Sequence, residues 1–274
     1  MSLYSYPRVH PGTGAAVEAQ AGNFCPEGYD QLIDFEARFA AAVGTEYAIG
    51  LNSGTAALHL ALLAHGVKPG DEVIVSALCA PAVLNTILTA GATPVLIDCD
   101  PFTYTINPLE VERMLQRRSN GNGSAAHADA TAGNEQRSGG GTTVLLADHL
   151  FGQPCEMRTL TQLADAHGLT LIEVAWEAFG ARYDGRQVGH SGTAVFSFLE
   201  GMAINTAEGG VLTTNDARLA ELVRVYANNG CDDDGCIVVP GFNYRMPYGT
   251  ACVATEQLKL ARRYSRPRHH NARE

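Results

Sequence analysis

Short apolar runs typical of buried strands alternate along the chain with segments of helical periodicity. The strand-like runs are about five residues long and the helical segments roughly ten. The predicted strands are residues 47–51, 72–76, 94–97, 143–147, 169–174 and 193–197, with a further strand after residue 210. The predicted helices are residues 30–43, 56–65, 82–90, 108–117, 157–167, 216–228 and 250–263. This alternation predicts an α/β fold of parallel βαβ units, with helices on both faces of an open sheet and ligands at the carboxyl ends of its strands.

Composition along the chain divides it into three parts. Residues 1–28 are rich in proline and glycine, residues 29–248 carry the alternating pattern, and residues 249–274 form a C-terminal helix and tail. The main part is interrupted at residues 118–141, which contain six glycines and no large apolar residue. Such a segment cannot bury enough apolar surface to order itself, so we predict a disordered surface insertion there.

Charge and cysteine content exclude several classes of protein. The net charge is −10 and, apart from residues 262–270, the basic residues are scattered, which argues against nucleic-acid binding. There is no apolar run of about 18 residues and no export signal, so we expect a cytoplasmic protein that does not bind membranes. The seven cysteines form no C-x-x-C pair, so we expect reduced thiols and no metal site.

A strand followed by a tight polar turn and a helix is the first candidate site. Ser53, Gly54 and Thr55 lie between the strand 47–51 and the next helix. Backbone N–H groups and the helix dipole at such a position attract an anion. The same tripeptide also suits a plain helix cap with no ligand.

Six motifs occur in the order found in one known family. They are Ser53-Gly54-Thr55, Gly70-Asp71-Glu72-Val73, His149-Leu150-Phe151-Gly152-Gln153-Pro154, Phe196-Ser197-Phe198, Glu208-Gly209-Gly210 and Gly241-x-Asn243-x-Arg245-Met246. The chain therefore resembles the DegT/DnrJ/StrS-type sugar aminotransferases of pyridoxal-phosphate fold type I. The resemblance implies a three-layer α/β/α sandwich with a mostly parallel sheet, corresponding to the family's large domain, and a small C-terminal domain that is largely missing.

The resemblance also implies roles for individual residues. Ser53, Gly54, Thr55 and Ser197 would form a residual phosphate cup, and Asn243 would reach the phosphate of a neighbouring subunit. Glu177 would lie near the ring hydroxyl of the cofactor. Each residue also has a purely structural interpretation: Ser197 as part of a turn, Asn243 as a helix cap and Glu177 as a solvated carboxylate.

Three positions depart from the family pattern around the cofactor ring. Met202 stands where the family has the Schiff-base lysine, Val174 where it has the aspartate of the pyridine nitrogen, and Ala80 where an aromatic residue stacks. The chain has two lysines, Lys68 and Lys259, and both lie far from this stretch in the sequence. We therefore expect no cofactor and no covalent attachment of pyridoxal phosphate.

These departures lead to one main functional hypothesis. The chain is interpreted as an aminotransferase-like protein of aminosugar, aminocyclitol or natural-product biosynthesis that does not transaminate by itself. It would act as an accessory subunit in a homo- or heterodimer with another aminotransferase-like subunit. Its status as an enzyme stays open at this stage.

Two alternatives remain. One is an enzyme without pyridoxal phosphate, which uses Asp148, His149, Glu177 and Glu200 for acid and base chemistry on a sugar phosphate, a nucleotide sugar or a cyclic intermediate. His149 equally suits a hydrogen-bonded structural histidine, and Trp176 either fills the pocket or stacks on a ligand. The other alternative is a conventional aminotransferase.

Overall fold

The computed structural model describes residues 28–119 and 141–271. The N-terminal segment predicted for residues 1–28 and the insertion predicted for residues 118–141 lie almost entirely outside the described residues. Within the described part, none of the helices has the length and hydropathy needed to cross a membrane.

Seven strands form one mostly parallel sheet in the order β1-β9-β8-β5-β4-β2-β3. Their bounds are β1 Tyr47–Leu51, β2 Glu72–Ser76, β3 Thr93–Ile97, β4 Thr142–Asp148, β5 Thr170–Val174, β8 Thr193–Ser197 and β9 Gly210–Thr214. The pairs from β3 to β8 are parallel, and β9 runs antiparallel to both β8 and β1. A separate two-stranded hairpin joins β6 (Arg182–Tyr183) to β7 (Arg186–Gln187).

Helices cover both faces of the sheet. Their bounds are α1 Gly28–Val43, α2 Gly54–Ala64, α3 Pro81–Thr89, α4 Pro108–Ser119, α5 Met157–His167, α6 Ala217–Ala227 and α7 Tyr248–Asn271. One face packs on α2, α3 and α6, and the other packs on α1 and α7 at one end and on α4 and α5 at the other. Helix α2 is buried along most of its length, which explains its apolar sequence GTAALHLALLA.

The predicted fold class is confirmed, because the structure is a three-layer α/β/α sandwich with a mostly parallel sheet. The sequence pattern did not predict the hairpin β6–β7, whose two-residue strands are too short to show a period. Helix α7 is also longer than the predicted residues 250–263.

A buried carboxylate links α1 to the edge of the sheet. Glu36, which is 5% exposed, accepts a hydrogen bond from Gly50 N–H at 2.7 Å. It also accepts two hydrogen bonds from the guanidinium of Arg224, at 3.2 and 2.5 Å. Three elements, α1, β1 and α6, therefore meet at one side chain.

We predict that Glu36→Ala lowers the free energy of unfolding by about 2 to 4 kcal/mol, because it leaves a buried N–H and a cation without their acceptor. Urea denaturation measures this. The matched control is Asp34→Ala, which removes a solvent-exposed ion pair with Arg38 on the same helix and should leave the midpoint unchanged within error. Equal losses in the two variants would contradict this interpretation.

Candidate functional site

Three neighbouring parallel strands end side by side at the carboxyl edge of the sheet. β8 ends at Ser197, β5 at Val174 and β4 at Asp148. Side chains alternate between the faces of a strand, and Val195 and Leu146 both pack in the core beneath α2 and α3. Ser197, Val174 and Asp148 therefore project on that same face.

The predicted phosphate cup is assembled at the amino end of α2. Ser53 caps the helix, and its Oγ accepts a hydrogen bond from Ala56 N–H at 3.0 Å. A Cβ added to Gly54 would lie 2.6 Å from the Cβ of Ser197, so only glycine lets the helix start this close to β8. Thr55 follows in the first turn and is exposed. The structure thus brings Ser53, Gly54 and Ser197 together around free helix N–H groups, as an anion site requires.

Asp148 is the most perturbed acid at this edge. Its side chain projects on the face covered by α2 and α3, and the residue is 7% exposed. Burial, together with the nearby carboxylate of Glu177, raises the pKa of Asp148 from 3.8 to about 7. Burial and the charge of Asp148 also raise the pKa of the Cys79 thiol to about 11, so that thiol is neutral.

His149 lies on the opposite face and is fully engaged in structure. Its Nδ1 accepts a hydrogen bond from Cys155 N–H at 3.0 Å, so the ring proton is on Nε2. Nε2 donates to Glu173 Oε2 at 3.0 Å, and the same oxygen accepts from Gly189 N–H at 2.8 Å. His149 thus joins β4 to β5 and to the turn before β8, and neither ring nitrogen is available to a substrate.

The other two candidate acids do not join His149. Glu177 lies after β5, where its Oε2 accepts a hydrogen bond from Phe151 N–H at 2.5 Å. Glu200 is exposed in the turn after β8. Of the four proposed acid and base residues, only Asp148 and Glu177 influence each other at the pocket.

The core cluster that holds Val174 includes an aromatic ring with an unused donor. Trp176 packs against this cluster, as do Cys79 and Ala80. The indole Nε1 of Trp176 is buried and has no hydrogen-bond partner among the described residues. An unpaired buried donor is costly, and a polar ligand would satisfy it.

Both lysines lie away from this pocket. Lys68 precedes β2 and is therefore at the amino edge of the sheet, where its Nζ is 3.6 Å from Asp71 Oδ2. Lys259 is on α7, with its Nζ 2.6 Å from Glu256 Oε1. Met202 lies in the turn that follows β8, five residues after Ser197, and its N–H donates a hydrogen bond to the Leu199 carbonyl at 3.1 Å.

Asn243 lies beside the chain segment that enters the cup. Its backbone C=O accepts a hydrogen bond from Asn52 Nδ2 at 3.2 Å, while its own residue is exposed. The neighbouring Phe242 and Tyr244 rings stack with centroids 4.9 Å apart. The Asn243 side chain is thus directed at solvent from the rim of the site.

Sequence reasoning missed two structural contributors. A Cβ on Gly210 would lie 2.5 Å from the carbonyl carbon of Ser53, so this glycine lets β9 support the cup. The Glu208-Gly209-Gly210 motif was visible, but its contact was not. The second contributor is Glu173, whose role in holding His149 depends on a strand pairing that the sequence does not show.

Comparisons with known proteins agree on one family. The profile of the DegT/DnrJ/EryC1/StrS aminotransferase family matches residues 13–273. GDP-perosamine synthase of Caulobacter vibrioides is 38% identical over 231 residues, which cover 83% of this chain and 56% of the relative. The dTDP-3-amino-3,4,6-trideoxy-alpha-D-glucose transaminase of Streptomyces venezuelae is 37% identical, over 83% of this chain and 55% of the relative. The chain thus spans about half the length of the curated relatives it matches.

Solved structures give the same result. DesV of S. venezuelae, crystallised with a ketimine intermediate, superposes with a TM-score of 0.77 at 35% identity, covering 91% of this chain and 62% of DesV. 3-Amino-5-hydroxybenzoic acid synthase also reaches a TM-score of 0.77, at 27% identity, over 94% of this chain and 64% of that structure. NtdA of Bacillus subtilis, solved with its bound cofactor PMP, shares the fold at 24% identity with a TM-score of 0.76, over 92% of this chain and 54% of NtdA.

The expectation that the chain uses no cofactor is wrong. The match to this aminotransferase family and the ketimine intermediate in the DesV structure point to pyridoxal phosphate. The expectation relied on three side chains around the ring, although phosphate binding does not require a covalent bond. The residues present fit the group: the cup at Ser53, Gly54 and Ser197 suits its phosphate, and the buried Asp148 carboxylate suits a cationic ring.

We predict that Asp148→Asn stabilises the ligand-free protein, increasingly as pH rises from about 4 to about 7. The folded state holds the Asp148 proton more tightly than the unfolded state, so ionisation costs stability across this window. The gain above pH 7 is at most about 4 kcal/mol. Of the groups around Asp148, the Cys79 and Cys155 thiols stay neutral, because burial raises the pKa of each.

Urea denaturation at a series of pH values measures the difference between the variant and the wild type. The exposed Asp165→Asn on α5 is the control and should show no such slope. If the difference in unfolding free energy between Asp148→Asn and the wild type does not vary with pH, burial does not raise the pKa of the Asp148 carboxyl.

Proposed function

The chain belongs to the DegT/DnrJ/EryC1/StrS aminotransferase family, and we propose that it is an aminotransferase-like subunit of aminosugar, aminocyclitol or natural-product biosynthesis. In this proposal it binds a pyridoxal-type cofactor without a covalent bond and does not complete transamination by itself. The relatives of known activity are sugar aminotransferases, which supports a nucleotide-linked sugar as the substrate class.

One observation carries the proposal: the residues predicted to form the phosphate cup lie together, yet neither lysine of the chain is beside them. Ser53, Gly54 and Ser197 meet at the start of α2. Lys68 is at the other edge of the sheet and Lys259 is on α7, each beside a carboxylate. A cofactor that carries its own amine, such as pyridoxamine phosphate, needs the cup but not the lysine.

The residues of the chain have defined parts in such a site. When bound, the cofactor supplies a ring that stabilises negative charge at a substrate carbon. Ser53, Ser197 and the first N–H groups of α2 bind and orient the phosphate. Met202 has no titratable proton, so it can neither attach the cofactor nor move a proton to or from substrate.

The exposed Asn243 side chain at the rim of the site supports a dimeric arrangement. The Asn243 side chain is exposed beside the cup and does not enter it. In the proposed assembly it reaches the phosphate of a second aminotransferase-like subunit, in a homodimer or a heterodimer. Its exposure supports this role.

We predict that wild-type protein incubated with pyridoxal phosphate and then reduced with borohydride shows no pyridoxyl adduct in its intact mass. Met202→Lys should show one adduct, because it returns an amine to the position of the family's Schiff-base lysine, five residues after Ser197. The matched control is Glu200→Lys, which adds a lysine two residues away on an exposed part of the same turn and should stay unmodified.

Equilibrium binding completes this test. Wild-type protein should bind pyridoxamine phosphate, with saturation measured by calorimetry, and Gly54→Ala should abolish binding because its methyl group collides with Ser197. A borohydride-fixed adduct on the wild type, or turnover of a nucleotide-linked keto sugar by the chain alone, would refute the proposal.

A further inference from the structure

The carboxylate of Asp148 has no obvious reason to be buried. It is 7% exposed and, among the described residues, it makes no hydrogen bond or ion pair. Its nearest electrostatic neighbour is another acid, Glu177. A mostly buried carboxylate without a partner is costly to ionise, so the site suits a positively charged or proton-donating group that arrives from outside the chain.

The surroundings of Asp148 narrow the chemistry of that group. The register partner Val174 is apolar and fully buried, Trp176 of the same cluster has a buried Nε1–H without a partner among the described residues, and the thiol of Cys79 is neutral. A flat, partly apolar cation that also carries an acceptor matches this wall better than a hydrated metal ion or an ammonium group. A protonated pyridine ring with polar substituents has these properties.

The register of the sheet relates Asp148 to the cup. Asp148 of β4 pairs directly with Val174 of β5, and parallel partners on one face lie about 5 Å apart. Ser197 belongs to β8, the strand next to β5, and projects on the same face. It lies two residues beyond Val195, which pairs with Val174. The carboxylate and the cup therefore lie on the same face of the sheet, at the ends of β4 and β8, with Val174 of β5 between them.

We propose that Asp148 binds the pyridine nitrogen of the cofactor and keeps it protonated, so that β4 supplies the carboxylate that Val174 of β5 cannot. This inference rests on the proposed function, since it assumes that pyridoxal-type cofactor occupies the cup. A carboxylate beside the ring nitrogen retains the proton there, and the protonated ring withdraws electrons more strongly. Asp148 is then a cofactor-binding residue, and no bond is made or broken at it.

The test exchanges the side chains of Asp148 and Val174, which are paired in the sheet. Dissociation constants for pyridoxamine phosphate are measured by calorimetry for the wild type, Asp148→Asn, and the double variant Asp148→Val/Val174→Asp. Removing the charge should weaken binding about tenfold or more, because it removes one partner of a desolvated charge pair. The double variant should recover most of the loss, because it returns a carboxylate to the same face about 5 Å away. Asp165→Asn serves as the charge-matched control and should bind like the wild type.

Inorganic phosphate is the second probe, and it reports on the cup alone. Its affinity should be equal in all variants. If the wild type fails to bind pyridoxamine phosphate, the proposed function is refuted. If the wild type binds it and Asp148→Asn binds equally well, only the present inference is overturned.

A spectroscopic measurement covers the case in which the double variant does not fold. The ¹⁵N chemical shift of ring-labelled pyridoxamine phosphate is followed against pH in complexes of the wild type and Asp148→Asn. The ring nitrogen should lose its proton at a lower pH in the variant. An unchanged titration would overturn the inference whatever the affinities are, because a merely structural role would not move it.

Discussion

The alternation of side chains along the parallel strands is the constraint on which the site depends. Because successive residues of a strand point to opposite faces, Asp148 enters the pocket and His149 enters the opposite layer. A slip of one residue in the pairing of β4 would exchange them and put an imidazole where the carboxylate is. The chemistry available at the carboxyl edge is therefore a consequence of register.

Buried polar contacts on the far side of the sheet hold that register. Cys155 N–H, His149, Glu173 and Gly189 N–H form one chain of hydrogen bonds between β4, β5 and the turn before β8. Each buried donor and acceptor in this chain has its partner, so a shifted pairing would leave several of them unsatisfied. At the other edge Glu36 joins α1, β1 and α6 in the same way. On the face of α2 and α3, in contrast, the indole N–H of Trp176 is buried without a partner among the described residues, and burial raises the pKa of Asp148.

The sequence was sufficient to predict the fold, because the main strands and helices are long enough to show their periods and the motifs occur in family order. It was also sufficient to group Ser53, Gly54 and Ser197, since the resemblance places them at one cup. It was insufficient to relate Asp148 to Val174. Asp148 lies 26 residues before Val174 in the chain and becomes its neighbour only through the pairing of β4 with β5. The contact between Gly210 and the Ser53 backbone could not be predicted either, because the close approach of two backbone segments depends on tertiary structure.

The most direct test of this account is a crystal structure of the protein with pyridoxamine phosphate. The account predicts the phosphate at the amino end of α2, between Ser53 and Ser197, with the ring nitrogen within hydrogen-bond distance of an Asp148 carboxylate oxygen and no covalent link to the chain. A ring nitrogen that faces only Val174, with the Asp148 carboxylate directed away from it, would contradict the account.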